Sequence, residues 1–190
     1  CIKNISLYST AGLLYWLVGY NLMYGVDEGG FLGSMSVWSA DDMAVGGDAP
    51  DYSGGYASGS DWYFQMVFCA TTASIVSGTI AERLKIWPFL IFTLVLTGFI
   101  YPIVGSWEWG GGFLDANFAF SDFAGSTLVH STGGWAALAG AIVIGSRTGR
   151  FNDDGSVTSF PGSSIPLATL GAFILWLGWF GFNGGSQLAL

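Results

Sequence analysis

Few side chains in this sequence are suited to chemistry, and most of them lie inside apolar runs. His130, the only histidine, follows Asp122 by eight positions in DFAGSTLVHSTGGWAALAGAIVIG, residues 122–145, where Asp122 is the one other charge. An ionisable ring in such a run has two readings: a hydrogen-bonded core histidine, or a polar group on a pathway through a membrane. Trp109 stands between Glu108 and three glycines, Gly110, Gly111 and Gly112. An indole face attracts a bound cation; it also anchors a helix end at a membrane interface. Phe64 and Phe68 are four positions apart, as are Phe182 and Ser186. On a helix each pair shares a face, where it either packs or lines a narrow pore. Asp122 suits the start of a helix, because its carboxylate accepts bonds from orphan amides.

Other chemistries lack their parts. Asp27 with Glu28, Asp41 with Asp42 and Asp153 with Asp154 are carboxylate pairs in polar segments. Solvated carboxylates keep ordinary pKa values and make poor general acids. Phosphate loops and nucleophile elbows are missing, and one histidine with two cysteines assembles no zinc cluster. A membrane-embedded enzyme built on Asp122 and His130 ranks last. An offset of eight puts the two side chains about 80° apart around a helix.

The elements that must position these residues are membrane helices. Hydrophobic residues make up 52% of the chain and charged residues 9%, far from the quarter that soluble domains carry. The class is all-α: a polytopic integral membrane helical bundle, read as a single membrane domain. Five apolar segments, about 5–24, 62–80, 87–106, 123–145 and 165–190, each approach the ~20 residues a spanning helix needs. Small residues recur along the fourth: Gly125, Gly133, Gly134, Ala137, Ala141 and Gly145. Such a stripe admits close neighbours and predicts a helix enclosed by others. Pro102 predicts a kink near the outer end of the third helix. Trp62, Tyr63, Trp87, Tyr101, Trp107 and Trp109 read as interface anchors.

If the segments alternate, Lys3, Arg83, Lys85, Arg147 and Arg150 fall on one side, and these are all the basic residues. The positive-inside rule then makes 81–86 and 146–164 cytoplasmic, with 25–61 and 107–121 outside. Loop 25–61 holds Asp27, Glu28, Asp41, Asp42, Asp48, Asp51 and Asp61 with no base, and reads as a solvated cap. No basic patch exists to hold nucleic acid. Cys1 and Cys69 predict no disulfide framework. A first residue other than Met and an apolar last segment suggest a fragment of a longer membrane protein.

Together DFAGSTLVHSTGGWAALAGAIVIG, GTIAERLK, WEWGGGFL and GWFGFNGGS resemble the ammonium transporter family (Amt/Mep/Rh), its Amt branch most closely. KNISLYS is similar to the start of that family's second helix, so the resemblance covers roughly the second to sixth helices. It implies an inverted-repeat transporter fold, a homotrimer in a plasma or bacterial inner membrane, with ammonium or ammonia as substrate. It implies no cofactor and leaves room for a cytoplasmic regulatory protein as partner.

Carried over by position, the resemblance makes Phe68 and Phe182 a pore gate. Trp109, Phe68 and Ser186 become an outer ammonium-recruiting site, and Phe64 a vestibule residue. Asp122 supports that site from behind, and His130 is the first of the family's two pore histidines. The second histidine and most of the second inverted half are not in this sequence, so residues 1–190 alone are not expected to transport. The alternative within the same fold is an ammonium sensor with a fused signalling domain.

Overall fold

Long apolar runs form long helices here, and the departures from regular geometry fall at proline and glycine. The computed structural model describes residues 2–42 and 55–188. Helix α1 runs Ile2–Leu14, widens into a π turn at Tyr15–Gly19 and resumes at Tyr20–Tyr24. Helix α2 is Ser58–Thr79. Helix α3 comprises Ile86–Val95, a π turn at Leu96–Ile100 and Tyr101–Ser106, and α4 is the short Phe113–Phe118. Helix α5 opens with a π turn at Ser126–Ser131 and continues through Thr132–Ile144; α6 is Ile165–Gly185. Strands are absent among the described residues, apart from one isolated bridge between Phe151 and Val157. The runs Ile86–Ser106, Ser126–Ile144 and Ile165–Gly185 are long and apolar enough to cross a membrane. Helix α2 has 22 residues, about 33 Å, but Gln65, Thr71, Thr72, Ser74 and Ser77 dilute its apolarity.

Pro102 acts through a widened turn. It has no N–H to offer the carbonyl of Gly98, and the Tyr101 N–H reaches five residues back to Leu96. The helix thereby absorbs the missing bond and continues. The outer half of α3 lies very close to α1: a Cβ on Gly105 would fall 2.5 Å from Met23 Cε.

Helix α5 crosses α2 just as closely. A Cβ on Gly133 would stand 2.9 Å from the Thr72 carbonyl oxygen, and Ala137 is buried beside it. At the start of the stripe, a Cβ on Gly125 would stand 3.2 Å from the Trp109 ring. Gly134 and Gly145 face open space, while Trp135, Ile142 and Val143 are exposed. Among the described residues α5 packs along one face, against α2, and leaves its other face exposed.

Two apolar clusters form the interior. Ala11, Tyr15, Met23, Met66, Phe68, Cys69, Tyr101 and Val129 fill one; Leu7, Ala73, Val76, Phe89, Leu96 and Ala137 fill the other. Tyr101 is fully buried, so it is a core residue and not an interface anchor. Cys69 is a buried free thiol whose Sγ donates to the Thr97 carbonyl at 3.3 Å; Cys1 lies outside the described residues.

Loop 25–61 is more than a solvated cap. Phe31 packs on Trp107 and Phe113, with ring centroids 4.9 and 5.3 Å apart, and Trp38 stacks on Trp62 at 5.2 Å. Aromatic pairs of this kind add to area burial and pin the described part of the loop to the helix ends. Asp48 and Asp51 lie outside the described residues. At the opposite end, Lys3 donates to the Ser77 carbonyl at 2.9 Å. Arg83 donates to the carbonyls of Thr79 and Gly145, and Arg147 pairs with Glu82 at 3.1 Å. Basic groups on terminal carbonyls are favoured by the helix dipole, and these contacts bring three of the five basic side chains to one end of the bundle.

Candidate functional site

The start of α5 is built on one carboxylate. Asp122, 7% exposed, accepts through Oδ1 from the amides of Gly125 at 2.8 Å and Ser126 at 3.0 Å. Its Oδ2 accepts from the Thr127 amide at 2.8 Å, the Thr127 hydroxyl at 2.6 Å and the Leu128 amide at 2.8 Å. Burial pushes this carboxyl up, but the bonds from Thr127, Leu128 and Gly125 outweigh it and hold it below the usual carboxylate range. These donors also explain why the helix begins at Ser126 and not at 123.

The backbone of Asp122 holds the loop that carries Trp109. Trp109 Nε1 donates to the Asp122 carbonyl at 2.6 Å, and the Asp122 amide donates to Glu108 Oε1 at 3.0 Å. Neighbouring residues thus grip both backbone groups of Asp122 and fix the indole plane. The face of that indole meets Phe68 edge-on, with centroids 5.5 Å apart at 72°. Phe64 lies 4.9 Å from Phe68 at 80°, as their spacing on α2 requires.

Helix α6 meets the others through its C-terminal half. Phe182 lies 4.9 Å from Phe68, tilted at 45° and not stacked face to face. Ser186 sits just past the last residue of the helix, and its Oγ donates to the Phe182 carbonyl at 2.8 Å. With its proton committed, the hydroxyl oxygen is left with lone pairs to accept a bond.

Two cavities flank the touching Phe68 and Phe182 rings. The outer one, about 360 Å³, is lined by Trp109, Phe68, Phe64 and Ser186, and also by Tyr20, Tyr24, Tyr56, Asp61, Gln65 and Phe123. The second, about 260 Å³, is lined by His130, Phe182, Trp179, Thr71, Ile174 and Leu175. His130 stacks near Trp179 at 6.3 Å and 21°, and meets Phe182 edge-on at 6.1 Å. Among the described residues the imidazole has aromatic neighbours and borders this cavity.

The Ammonium Transporter Family model matches residues 1–190. This chain belongs to the ammonium transporter family. It is 40% identical over 197 residues to the ammonium transporter Amt2 of Archaeoglobus fulgidus, covering 99% of this chain and 40% of that protein. A solved structure described as a sensor Amt protein superposes with a TM-score of 0.85 at 40% identity, over 100% of this chain and 46% of that one. The structure of Saccharomyces cerevisiae Mep2, at 23% identity and a TM-score of 0.75, covers 98% of this chain and 40% of that one, and shares the fold. The chain spans about two fifths of the length of the curated relatives it matches. It is a multi-pass membrane protein with an Amt-type helical fold, and its relatives are named as transporters.

Within this family fold the sequence motifs brought Trp109, Phe68, Phe64 and Ser186 to one cavity and His130 and Phe182 to the next. The rest of the outer cavity's lining was missed. Gln65, a polar residue between Phe64 and Phe68, was the available signal, since polar groups inside spanning segments are rarely idle. Among the described residues no group of three or more His, Cys, Asp or Glu side chains is placed to hold a metal ion.

Nor did its sequence context single out Glu108. Burial raises its carboxyl to about 7, the charges of Asp122 and Asp115 add to the rise, and the bond from the Asp122 amide opposes it. Its Oε2 is buried without a partner among the described residues. A carboxyl raised from 4.5 to about 7 binds its proton more tightly when folded, so stability falls as pH rises between those values. Glu108→Gln, which cannot ionise, is expected to compare better with wild type at about pH 8 than at about pH 5. Thermal unfolding of the purified protein in detergent measures this; an equal difference at both pH values would contradict it.

Proposed function

We propose that the protein conducts ammonium nitrogen across a cell membrane by recruiting the cation in the outer cavity and passing it, as ammonia and a proton, beyond the two phenylalanines. The observation that carries this reading is the arrangement of two cavities on either side of the touching Phe68 and Phe182 rings. Trp109 and Ser186 line one, and His130 lines the other. Ammonium replaces its hydration with an aromatic face and hydrogen-bond acceptors. K+ is of similar size but donates no hydrogen bond, so an accepting hydroxyl favours ammonium. The second cavity is almost wholly apolar, which penalises the charged form. Ammonium therefore parts at the gate into ammonia and a proton, and the imidazole of His130, which lines the second cavity, offers ring nitrogens to hand that proton on. Asp122 supports the site by holding Trp109 and the start of α5, without facing the cavity.

All five long helical runs span the bilayer in this reading, α1 and α2 included. The end that gathers Lys3, Arg83 and Arg147 is cytoplasmic, and the Trp109 end is outside, as the distribution of basic residues requires. A homotrimer and a cytoplasmic regulatory partner belong to the same proposal, by likeness to the family.

Ser186→Ala is expected to raise the half-saturation concentration for ammonium roughly threefold to tenfold, the worth of one hydrogen bond. It should also strengthen competition by K+. Uptake assays with K+ present measure both, and unchanged competition would remove Ser186 from the site.

The second reading, a sensor of the same fold, is favoured by the likeness to the structure described as a sensor Amt protein. Ammonium uptake in transport-deficient cells expressing the intact protein separates the two. Saturable uptake supports the transporter. Folded protein at the membrane with no uptake, but with a downstream response to ammonium, would put the sensor first.

A further inference from the structure

The outer cavity is unusual for an aromatic pocket. Asp61 Oδ2 accepts from the Tyr20 hydroxyl at 2.6 Å, and Gln65 Nε2 reaches Asp61 Oδ1 only at 3.4 Å. Gln65 is 7% exposed, and its Oε1 is buried without a partner among the described residues. Both residues line the cavity that also holds Trp109 and Ser186. No Lys, Arg or His is among the residues lining it, so the Asp61 charge faces no cationic side chain there.

An orphaned amide oxygen and an uncompensated carboxylate each cost free energy in a confined site, and Gln65 and Asp61 both line this one cavity. Tyr20 and Tyr24, with ring centroids 4.9 Å apart, and Tyr56 supply aromatic walls to the same space. A cation is favoured by every one of these groups. At about 360 Å³ the cavity has room for more than one small ion with some water, since a water occupies about 30 Å³.

We propose that Asp61 and the Gln65 side-chain oxygen form a second, outer subsite for a small monovalent cation bearing N–H donors, ammonium or a primary alkylammonium, distinct from the Trp109 face. This rests on reading the outer cavity as the cation's entrance. The carboxylate attracts the ion from bulk solution, the Gln65 oxygen accepts one of its N–H groups, and transfer to Trp109 then takes place within one cavity. The subsite raises occupancy at low ammonium and leaves the rate beyond the phenylalanines unchanged.

The test uses the intact protein, purified in detergent, with methylammonium binding followed by titration calorimetry, alongside uptake kinetics in cells. The variants are Asp61→Asn, Gln65→Met and Trp109→Leu. Asp61→Asn removes the charge while keeping an acceptor for Tyr20, and Gln65→Met keeps the volume while removing the acceptor. Size-exclusion profiles matching wild type admit a variant to the comparison. The expected result is loss of one of two binding events in Asp61→Asn and in Gln65→Met. Half-saturation should rise severalfold with an unchanged maximal rate, and the effect should multiply with that of Trp109→Leu. Unchanged binding and kinetics in both variants, with Trp109→Leu still impaired, would overturn the subsite and leave the transport reading standing. Failure of all three variants to alter binding would overturn both. Equal displacement of methylammonium by K+ from the Asp61 subsite would overturn the assignment to an N–H donor.

Discussion

Asp122→Asn is expected to lower the stability of the folded protein by about 3 kcal/mol. Five donors converge on this carboxylate, and an asparagine offers one accepting oxygen where the aspartate offers two. Its amide nitrogen would face the donors of Thr127 and Leu128 or those of Gly125 and Ser126. Because the folded carboxyl lies below its ordinary value of 3.8, its contribution is present above that value and fades as pH falls through the folded one. The consequences reach the cavity, since the same residue's backbone positions Trp109 and Glu108. Thermal unfolding of wild type and Asp122→Asn in detergent measures the loss. A difference below about 1 kcal/mol would show that the cap contributes no more than an ordinary surface bond.

The second large effect is on affinity. Trp109→Leu keeps bulk and apolarity but removes the π face, the indole donor and the edge-on contact with Phe68 at 5.5 Å. A partly desolvated cation–π contact is worth up to about 2 kcal/mol, so half-saturation for ammonium should rise roughly tenfold to thirtyfold. Flux at saturating ammonium should change little, because the barrier at Phe68 and Phe182 and the second cavity are untouched. A concentration dependence equal to that of wild type would place the cation elsewhere, whereas a lower maximal rate with unchanged half-saturation would assign Trp109 to the barrier.

Much of this protein is legible in its sequence because a bilayer permits few solutions. A charge-free run of about twenty residues has to be a helix, and family motifs of eight or more residues leave little room for accident. His130 and Trp109 stood out because each is costly or distinctive where it lies. Features that depend on which helices meet were not legible. Tyr101 resembled an interface anchor, yet it is a core residue, because the glycine-mediated approach of α1 and α3 draws it inward. The π turns are absent from any apolar pattern, since a one-residue widening leaves hydropathy unchanged. Asp61 read as the end of a polar loop; only the placement of Tyr20 on α1 and Gln65 on α2 makes it part of a cavity wall.

The most direct test of the proposed pathway is ammonium uptake by transport-deficient cells expressing the intact protein, comparing wild type with His130→Ala at matched membrane levels. Loss of uptake, or a change in its selectivity between ammonium and other monovalent cations, is the predicted result, because His130 lines the second cavity with its ring 6.1 Å from that of Phe182. Uptake with unchanged rate and selectivity in His130→Ala would contradict a conduction path through the second cavity.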